Sequence, residues 1–239
     1  MTQRTWLIVG ATSIIAEEFS HLVCQEGQKV ILVGRNADQL AIIAQDLSLR
    51  YGTHCEVVLN EFAQTVEPIT QLLASHPDEI DLFIAHSDFA GNEHLTLKSI
   101  QQLISVNILA TTELIHAYLS KEQAHHNLLF LSSVAACRGR AKNSLYGGSK
   151  AAIEVYLEGL QQAASTSQTI SIARLGFIDT RQTYGVAGVF YAAPPKACAK
   201  ACLKAIKKGK RRFYFPAFWS FIMAVITRMP FFIYKKLAL

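Results

Sequence analysis

The segment that decides the architecture lies near the start of the 239-residue chain. It reads Arg4-Thr5-Trp6-Leu7-Ile8-Val9-Gly10-Ala11-Thr12-Ser13-Ile14-Ile15-Ala16. Residues 5–9 form a short apolar run that predicts a strand, and small residues follow as a turn. A helical pattern with Phe19, Leu22 and Val23 comes directly after the turn. This order is typical of a dinucleotide-binding site, in which amides at a helix N-terminus face a pyrophosphate.

The turn departs from the usual three-glycine fingerprint. Gly10 is present, whereas Ile14 and Ala16 occupy the other two glycine positions. Ala16 still provides the small residue that close packing of helix and strand requires. Ile14 is bulky, so we expect a changed approach to the phosphates. The residues predicted at the phosphate end of the site are Gly10, Thr12, Ser13, Ile14 and Ile15.

The second predicted strand indicates which dinucleotide is bound. A carboxylate at the end of this strand would bind the adenosine ribose hydroxyls and repel a 2′-phosphate. The strand ends in Gly34-Arg35-Asn36, which supplies no acid but places a guanidinium suited to phosphate at Arg35. The sequence therefore predicts NADP (NADPH) as the cofactor and makes NAD the less favoured one.

Strand and helix patterns alternate along most of the chain, which predicts an α/β fold with a doubly wound parallel sheet covered by helices on both faces. The length fits one domain with a substantial core. The predicted strands are 5–9, 30–34, 55–59, 81–85, 127–132, 169–175 and 212–215. The predicted helices are 14–26, 37–50, 62–75, 97–120, 145–164 and 195–208.

Tyr146-Gly147-Gly148-Ser149-Lys150 falls at the start of a predicted helix, where residues four apart share a face. A phenol has a pKa of about 10, and a nearby cation lowers that pKa. The pair is thus suited to general acid/base chemistry. Ser133, at the end of an apolar strand, is suited to polarise the same oxygen. The alternative is a surface tyrosine and lysine on an ordinary helix.

These residues together resemble the short-chain dehydrogenase/reductase family, from about Arg4 to Lys208. The resemblance implies a single Rossmann-type sheet and an NAD(P)-dependent oxidoreductase. It implies that Tyr146 is the acid/base, that Lys150 lowers the pKa of Tyr146, and that Ser133 orients the carbonyl. Asn107 matches the helix asparagine that holds a water in the family's proton relay. The implied catalytic residues are Asn107, Ser133, Tyr146 and Lys150.

The resemblance also implies the cofactor contacts. Asn60 matches the position that borders the adenine, and residues 174–180 resemble the segment that flanks the nicotinamide. Ala85-His86-Ser87-Asp88 replaces the Asn-Asn-Ala-Gly that is usual after the fourth strand. Residues 181–193 would be a substrate-side lid or an ordinary surface loop. The implied cofactor-binding residues are Gly10, Thr12, Ser13, Ile14, Ile15, Arg35, Asn60, Ala85, His86, Tyr146, Lys150, Gly176, Ile178 and Thr180.

Cysteine usage fits a reducing, cytoplasmic compartment. The five cysteines form no CxxC pair, and an odd count argues against a disulfide framework. The histidines do not form a set with metal-ligand spacing, so no metal site is predicted.

Charge divides the chain into two parts. Residues 1–179 carry 11 Lys/Arg and 18 Asp/Glu, a balance of −7, whereas residues 180–239 carry 12 Lys/Arg and no acid, a balance of +12. A basic cluster at 204–212 precedes an aromatic and apolar stretch. We therefore expect a catalytic domain at 1–212 and a basic, apolar C-terminal extension at 213–239 that is not an independent domain.

The extension has three interpretations. Contact of 204–239 with an anionic membrane surface fits aromatic residues beside cations. Packing on the domain itself, or on a second subunit of a homo-oligomer, would also cover the apolar residues. A membrane span is the least favoured, since it needs roughly 20 apolar residues. Nucleic acid is not expected as a partner, because the aromatics form a block rather than alternating with basic residues.

A second resemblance bears on the substrate. Gly10-Ala11-Thr12-Ser13, Ala85-His86 and the basic-then-apolar tail are similar to a bacterial subgroup of keto-sugar reductases that act on polyprenyl-phosphate sugars at the inner membrane face. The sequence thus favours an NADPH-dependent reductase of a small-molecule, hydrophobic or lipid-linked ketone. The alternatives are a soluble reductase of 3-oxoacyl or small ketones with the tail as a dimer element, and a non-catalytic dinucleotide-binding scaffold.

Overall fold

The computed structural model describes residues 4–180, 183 and 190–237. Within these residues the chain forms one seven-stranded sheet with the strand order β3-β2-β1-β4-β5-β6-β7, and every pairing is parallel. The strands are β1 (Thr5–Val9), β2 (Lys29–Gly34), β3 (Cys55–Leu59), β4 (Ile80–Ile84), β5 (His126–Ser133), β6 (Gln168–Leu175) and β7 (Arg212–Phe215).

Helices cover both faces of the sheet. They are α1 (Ile14–Gln25), α2 (Ala37–Tyr51), α3 (Glu67–Ser75), α4 (Leu97–Ile104), α5 (Thr111–Ser120), α6 (Ser144–Ala163), α7 (Pro195–Lys207), α8 (Trp219–Arg228) and α9 (Phe231–Tyr234). Side chains alternate across a strand, so Ile8 of β1 belongs to the core beneath α1 and α7, and Leu7 to the core beneath α3, α5 and α6. The central strands β1, β2 and β4 are almost wholly buried and are largely apolar, whereas the edge strand β3 is partly exposed and carries Glu56.

The structure confirms the predicted doubly wound parallel sheet and its seven strands. One helix prediction was wrong in its start. The helix expected over 62–75 begins only at Glu67, because residues 61–65 form turns and Pro68 sits within the first helical turn, where proline is tolerated. The helix expected over 97–120 is present with those bounds, and a π-helical turn at Ser105–Ala110 joins α4 to α5 within it. Such turns are frequent at functional sites.

The C-terminal extension packs on the domain. β7 pairs with β6 as far as Phe215, three residues beyond the boundary expected at 212. From α8, a helix that the sequence analysis did not predict, Trp219 and Met223 are buried against Val134. By length and composition one helical stretch, Leu97–Ser120, is apolar enough to cross a membrane, and 44% of its most apolar window is buried in the protein. The ten residues of α8 are about half of what a span needs.

Candidate active site

A cavity of about 570 Å³ lies at the edge of the sheet where the parallel strands end. In doubly wound sheets, ligands bind at this edge, where the strand order reverses. The cavity runs from the turn after β1 to the first turns of α6, and all the predicted site residues except Asn60 and Asn107 line it. Lining residues that the sequence analysis did not include among the catalytic or cofactor-binding residues are Glu17, Gly34, Gln39, Glu61, Phe62, Ser87, Asp88, Val106, Leu131, Ser132, Leu175 and Thr183.

The turn between β1 and α1 forms one end of the cavity. Gly10 has a φ of +80°, and a Cβ there would lie 2.5 Å from the backbone nitrogen of His86, so only glycine fits. Among the described residues no side chain caps α1, whose N-terminus faces the cavity at Ser13 and Ile14. Uncapped amides at a helix N-terminus attract anions. This end therefore fits the pyrophosphate of a dinucleotide, with Ile14 facing it where the usual fingerprint has glycine.

Arg35 lies at the adjacent part of the cavity, beyond the end of β2. Its Nη1 is 4.0 Å from Oε1 of Glu61, and both side chains are largely exposed. Asn60 precedes this glutamate but points away from the cavity, with its Nδ2 donating to the carbonyl oxygen of Thr65 at 2.9 Å. The Asn60 Oδ1 is buried and has no partner among the described residues. A cation with only one distant acid fits a ligand phosphate.

His86 lies at the centre of the cavity, after β4. Its ring stacks on Phe62 with centroids 4.4 Å apart, and its Nε2 is 3.0 Å from Oγ1 of Thr111. Burial, reinforced by the charge of Lys150, lowers the pKa of His86 to about 3. The imidazole is therefore neutral near physiological pH and contributes hydrogen bonding and shape rather than charge.

Tyr146 and Ser133 meet at the far end of the cavity. Gly147 explains this proximity, since a Cβ there would lie 2.6 Å from the carbonyl oxygen of Ala135, and α6 therefore passes very close to the segment after β5. Burial raises the pKa of Tyr146, while the hydroxyls of Ser133 and Ser87 and the charge of Arg140 act in the opposite direction. The phenol is thus protonated near neutral pH and able to act as an acid.

Lys150 lies one helical turn beyond Tyr146 and is almost fully buried. Its Nζ donates to the carbonyl oxygen of Leu131 at 3.0 Å. Burial lowers the pKa of Lys150 to about 7, and the nearby carboxylate of Glu154 opposes that shift. The charge of Arg140 acts to lower the pKa of Tyr146. The effect on Tyr146 that the sequence analysis assigned to Lys150 stays a prediction.

Asn107 lies in the π-helical turn, is buried, and holds other elements together. Its Oδ1 accepts a hydrogen bond from the backbone nitrogen of Asp88 at 2.7 Å. Its Nδ2 donates to the Asp88 carbonyl oxygen at 2.9 Å and to Oγ of Ser149 at 3.0 Å. Asn107 therefore ties the loop after β4 to α6, and its predicted part in a proton relay stays a prediction.

The wall near the expected substrate position contains residues from the C-terminal extension. Gly176 packs directly under the indole of Trp219, and Phe177 meets the same indole edge-on with ring centroids 5.7 Å apart. Most of the expected lid falls at residues 181–182 and 184–189, which lie outside the described residues. In the described ranges, no cluster of three or more His, Cys, Asp or Glu side chains could hold a metal ion.

A doubly wound sheet whose cavity is lined by a glycine turn and by a half-buried tyrosine and serine defines a class, the dinucleotide-dependent oxidoreductases. Sequence comparison identifies the family, because the short chain dehydrogenase profile matches residues 4–186. The chain belongs to the short-chain dehydrogenase family and is an NAD(P)-dependent oxidoreductase.

Individual relatives agree with this assignment. An uncharacterized oxidoreductase of Staphylococcus epidermidis is 28% identical over 192 residues, which cover 77% of this chain and 81% of the relative. An uncharacterized oxidoreductase of Mycobacterium tuberculosis is 27% identical over 241 residues, which cover 97% and 96%. Among solved structures, a short-chain dehydrogenase of Sphingobium yanoikuyae in complex with NADPH superimposes with a TM-score of 0.80 at 20% identity, covering 95% of this chain and 96% of that one.

Proposed function

We propose that this protein is an NADPH-dependent carbonyl reductase that acts on a hydrophobic or lipid-linked ketone. The observation that carries the proposal is the pairing of Tyr146 with Ser133 at the end of the cavity, beside an apolar wall. Phe89 packs edge-on against the Tyr146 ring with centroids 5.0 Å apart, and Trp219 covers the neighbouring Gly176. An apolar setting around a proton donor suits an apolar ketone.

Bound NADPH would supply a hydride to the carbonyl carbon of the substrate. Ser133 donates a hydrogen bond to the carbonyl oxygen and so fixes its position. Tyr146 gives its phenolic proton to the same oxygen as negative charge develops there, which is general acid catalysis. Lys150 contacts the nicotinamide ribose and favours the phenolate that is left behind. Asn107, which holds the loop after β4 against α6, connects Lys150 to solvent through water.

The proposed preference for NADP rests on Arg35. No acid replaces Gly34 at the end of β2, and the Arg35 guanidinium can reach a 2′-phosphate. Glu61, at 4.0 Å from Arg35, offsets part of that charge. Solved structures of short-chain dehydrogenases in complex with NADP or NADPH support the same preference.

A hydrophobic substrate is supported by the outer faces of α8 and α9. Phe221, Phe231 and Phe232 are 74%, 70% and 69% exposed, and Lys235 and Lys236 follow directly. Exposed aromatics beside cations, in a segment without acids, suit the headgroup region of an anionic membrane. We place the protein in the cytoplasm, with 204–239 resting on the inner membrane face.

A homo-oligomer is part of the proposal. Leu97 at the start of α4, Leu109 in the π-helical turn and Val155 on α6 are all more than half exposed. Apolar side chains this exposed on adjacent helices are typical of an interface between copies of one chain. The proposed partners are thus a second subunit, the carbonyl substrate and a lipid surface.

One experiment tests the catalytic assignment. Full-length protein is assayed for NADPH oxidation with neutral, acidic and lipid-linked ketones, and fluorescence titration gives its affinities for NADPH and NADH. Tyr146→Phe should reduce turnover about 100- to 10,000-fold while NADPH binding persists. Tyr156→Phe, which removes a hydroxyl from the same helix, is the control and should change neither. A Tyr146→Phe variant that turns over at the wild-type rate would overturn the assignment.

The membrane assignment has its own test. Flotation with liposomes that contain anionic lipid should carry the protein to the top of the gradient, and charge reversal at Lys235 and Lys236 should reduce this. Flotation that depends neither on the charge of the lipid nor on these substitutions would contradict the proposed contact.

A further inference from the structure

Ser87 presents a loosely held hydroxyl to the cavity that also contains Tyr146 and Ser133. It is half-buried in the loop after β4, at the position where the usual family pattern has alanine. Its proton has two acceptors in reach, the carbonyl oxygen of Asp88 at 3.3 Å and Oδ1 of Asn107 at 3.4 Å. Both distances exceed the usual limit of about 3.0 Å for an O–H···O hydrogen bond. The Ser87 hydroxyl is therefore free to turn toward a better acceptor.

The side-chain amide of Asn107 has no capacity left for a further ligand. A primary amide donates two hydrogen bonds and accepts two. The Nδ2 of Asn107 donates to the carbonyl oxygen of Asp88 at 2.9 Å and to Oγ of Ser149 at 3.0 Å. Its Oδ1 accepts from the backbone nitrogen of Asp88 at 2.7 Å and from Ser87 at 3.4 Å. The bond from Ser87 is the longest of the four, so it is the one that costs least to break.

Two contacts hold the loop of Ser87 against the first turns of α6. Phe89, two residues further along, packs its ring edge-on against the ring of Tyr146, with centroids 5.0 Å apart. Asn107 donates to Oγ of Ser149, and this hydroxyl donates to the main-chain carbonyl oxygen of Tyr146 at 2.8 Å. The loop is thus fixed to the side chain of Tyr146 at one point and to its main chain at the other. Ser87 therefore lies beside the phenol in the cavity that both residues line.

We propose that Ser87 is a positioning residue for the reduction, and that its hydroxyl donates a hydrogen bond to the phenolic oxygen of Tyr146 once Tyr146 has given up its proton. The inference rests on the proposed function and adds a residue to it. In the reaction the carbonyl carbon gains a hydride from NADPH, which is oxidised to NADP⁺, and the carbonyl oxygen gains the phenolic proton. Ser87 keeps its own proton and exchanges Oδ1 of Asn107 for the phenolate as acceptor. A charged acceptor binds a hydroxyl more strongly than a neutral amide does, so the exchange stabilises the phenolate.

Ser133 and Ser87 would serve different oxygens. The Oγ of Ser133 accepts a hydrogen bond from the backbone nitrogen of Ala135 at 3.1 Å, which leaves its proton for the carbonyl oxygen of the substrate. Ser87 follows a different strand, β4 rather than β5, and addresses the phenol instead. The two hydroxyls thus stabilise the two oxygens between which the proton moves.

Replacement of Ser87 leaves the charged and titratable groups around Tyr146 in place. These groups are Lys150 on α6, Arg140 in the segment before α6, and His86 and Asp88 in the loop after β4. The Ser87 hydroxyl acts to lower the pKa of Tyr146, as a hydrogen-bond donor to the phenolate should. A change in the pH dependence of the Ser87→Ala variant can therefore be attributed to the lost hydroxyl.

The test compares Ser87→Ala with the wild type as full-length proteins, with NADPH and the ketone that the wild type turns over best. Ser87→Ala should lower kcat about 10- to 100-fold, the range of a hydrogen bond to a charged group, with little change in NADPH affinity. Since reduction needs the protonated phenol, a higher pKa of Tyr146 should move the alkaline decline of kcat up by about 1–2 pH units. The phenolate is also titrated by ultraviolet absorbance in the NADP⁺ complex without substrate, as the difference from a matched Tyr146→Phe protein, and should show the same shift.

Further variants assign the effect to the hydroxyl. Ser87→Thr keeps a hydroxyl and should recover most of the lost rate and the wild-type pH profile. Ser87→Gly also removes the hydroxyl and gives a second measure of the same loss. Ser120→Ala is the control, since the Oγ of this exposed serine donates only to the carbonyl oxygen of His116 at 2.9 Å, and it should change neither kcat nor its pH dependence. Ser87→Ala should melt close to the wild type, because both hydrogen bonds that it loses are long.

Two results would overturn this inference alone. One is a kcat of Ser87→Ala equal to that of the wild type. The other is a lower kcat with an unmoved pH profile and an unmoved phenolate titration, which would mean that Ser87 only shapes the loop. Turnover of no ketone by the wild type would instead overturn the proposed function, and this inference with it.

Discussion

Gly176 lies so close to Trp219 that a Cβ on Gly176 would sit 1.8 Å from the indole nitrogen. Gly176 lines the cavity, and Trp219 begins α8, so the C-terminal extension forms part of the wall of the site. The indole is buried against Val134 and meets Phe177 edge-on. The apolar tail therefore shapes the region in which a substrate would bind, besides presenting its outer face to solvent.

The first prediction concerns this contact. Gly176→Ala should lower the free energy of unfolding by about 1–3 kcal/mol, because the new methyl group forces the indole away from a packed position. It should also weaken NADPH binding, since the cavity wall moves. Chemical denaturation and fluorescence titration measure the two effects. Gly159→Ala is the control. A Cβ at this position has no other atom within 4 Å, and alanine favours a helix, so the free energy of unfolding should rise by about 0.5–1 kcal/mol. A Gly176→Ala protein as stable as the wild type would contradict the packing described.

The second prediction uses two glutamates one turn apart on α6. Glu154 is buried, pairs with Arg174 and accepts a hydrogen bond from Oγ of Ser132 at 2.5 Å. Glu158 pairs with Arg212, and both of these side chains are more than 40% exposed. The two pairs use the same residue types and differ mainly in burial.

Glu154→Gln should therefore lower the free energy of unfolding by about 3–5 kcal/mol, since it leaves the Arg174 charge buried without its partner. Glu158→Gln should lower the free energy of unfolding by only about 0–1 kcal/mol, because water screens an exposed ion pair. Denaturant titration of both variants at one pH gives the comparison. Similar losses from the two substitutions would contradict the burial that separates them.

Apolar runs bounded by turns predicted the central strands β1, β2 and β4, because strands buried on both faces are nearly continuously apolar. The partly exposed edge strands β3 and β7 were predicted from shorter runs that contain Val57, Val58, Phe213 and Phe215. The positions of Gly10, Tyr146 and Lys150 were predictable for a related reason: each lies where a strand ends or a helix begins. The Gly176–Trp219 contact was not, since it joins a loop to a tail that no periodic pattern marks.

The third prediction tests the cofactor preference proposed for Arg35. Arg35→Gln should weaken NADPH binding about 10-fold and leave NADH binding unchanged, because only NADPH carries the 2′-phosphate. Glu61→Gln should strengthen NADPH binding, since it removes the acid 4.0 Å from Arg35. Arg50→Gln, at an exposed cation of α2 that pairs with Asp46, is the control and should change neither affinity. Equal effects of Arg35→Gln on the binding of NADPH and NADH would show that Arg35 does not bind the 2′-phosphate.

The fourth prediction follows from the buried ammonium of Lys150. Its pKa is lowered from 10.5 to about 7 by burial, so between these pH values the unfolded chain holds a proton that the folded chain has lost. The free energy of unfolding should therefore rise with pH across this window. The neighbouring His86 has a pKa of about 3 and is neutral throughout the window, and the Glu154 carboxylate is paired with Arg174.

Lys150→Met keeps the length of the side chain and removes its titration. The difference in unfolding free energy between wild type and Lys150→Met should change by up to about 1 kcal/mol per pH unit between pH 7 and 10, in favour of the wild type as pH rises. Groups that titrate in both proteins, such as Tyr146 above pH 10, cancel in this difference. Lys142→Met, at an exposed lysine, is the control variant. Parallel curves for wild type and Lys150→Met would mean that Lys150 keeps an ordinary pKa, and that its charge is available to Tyr146 after all.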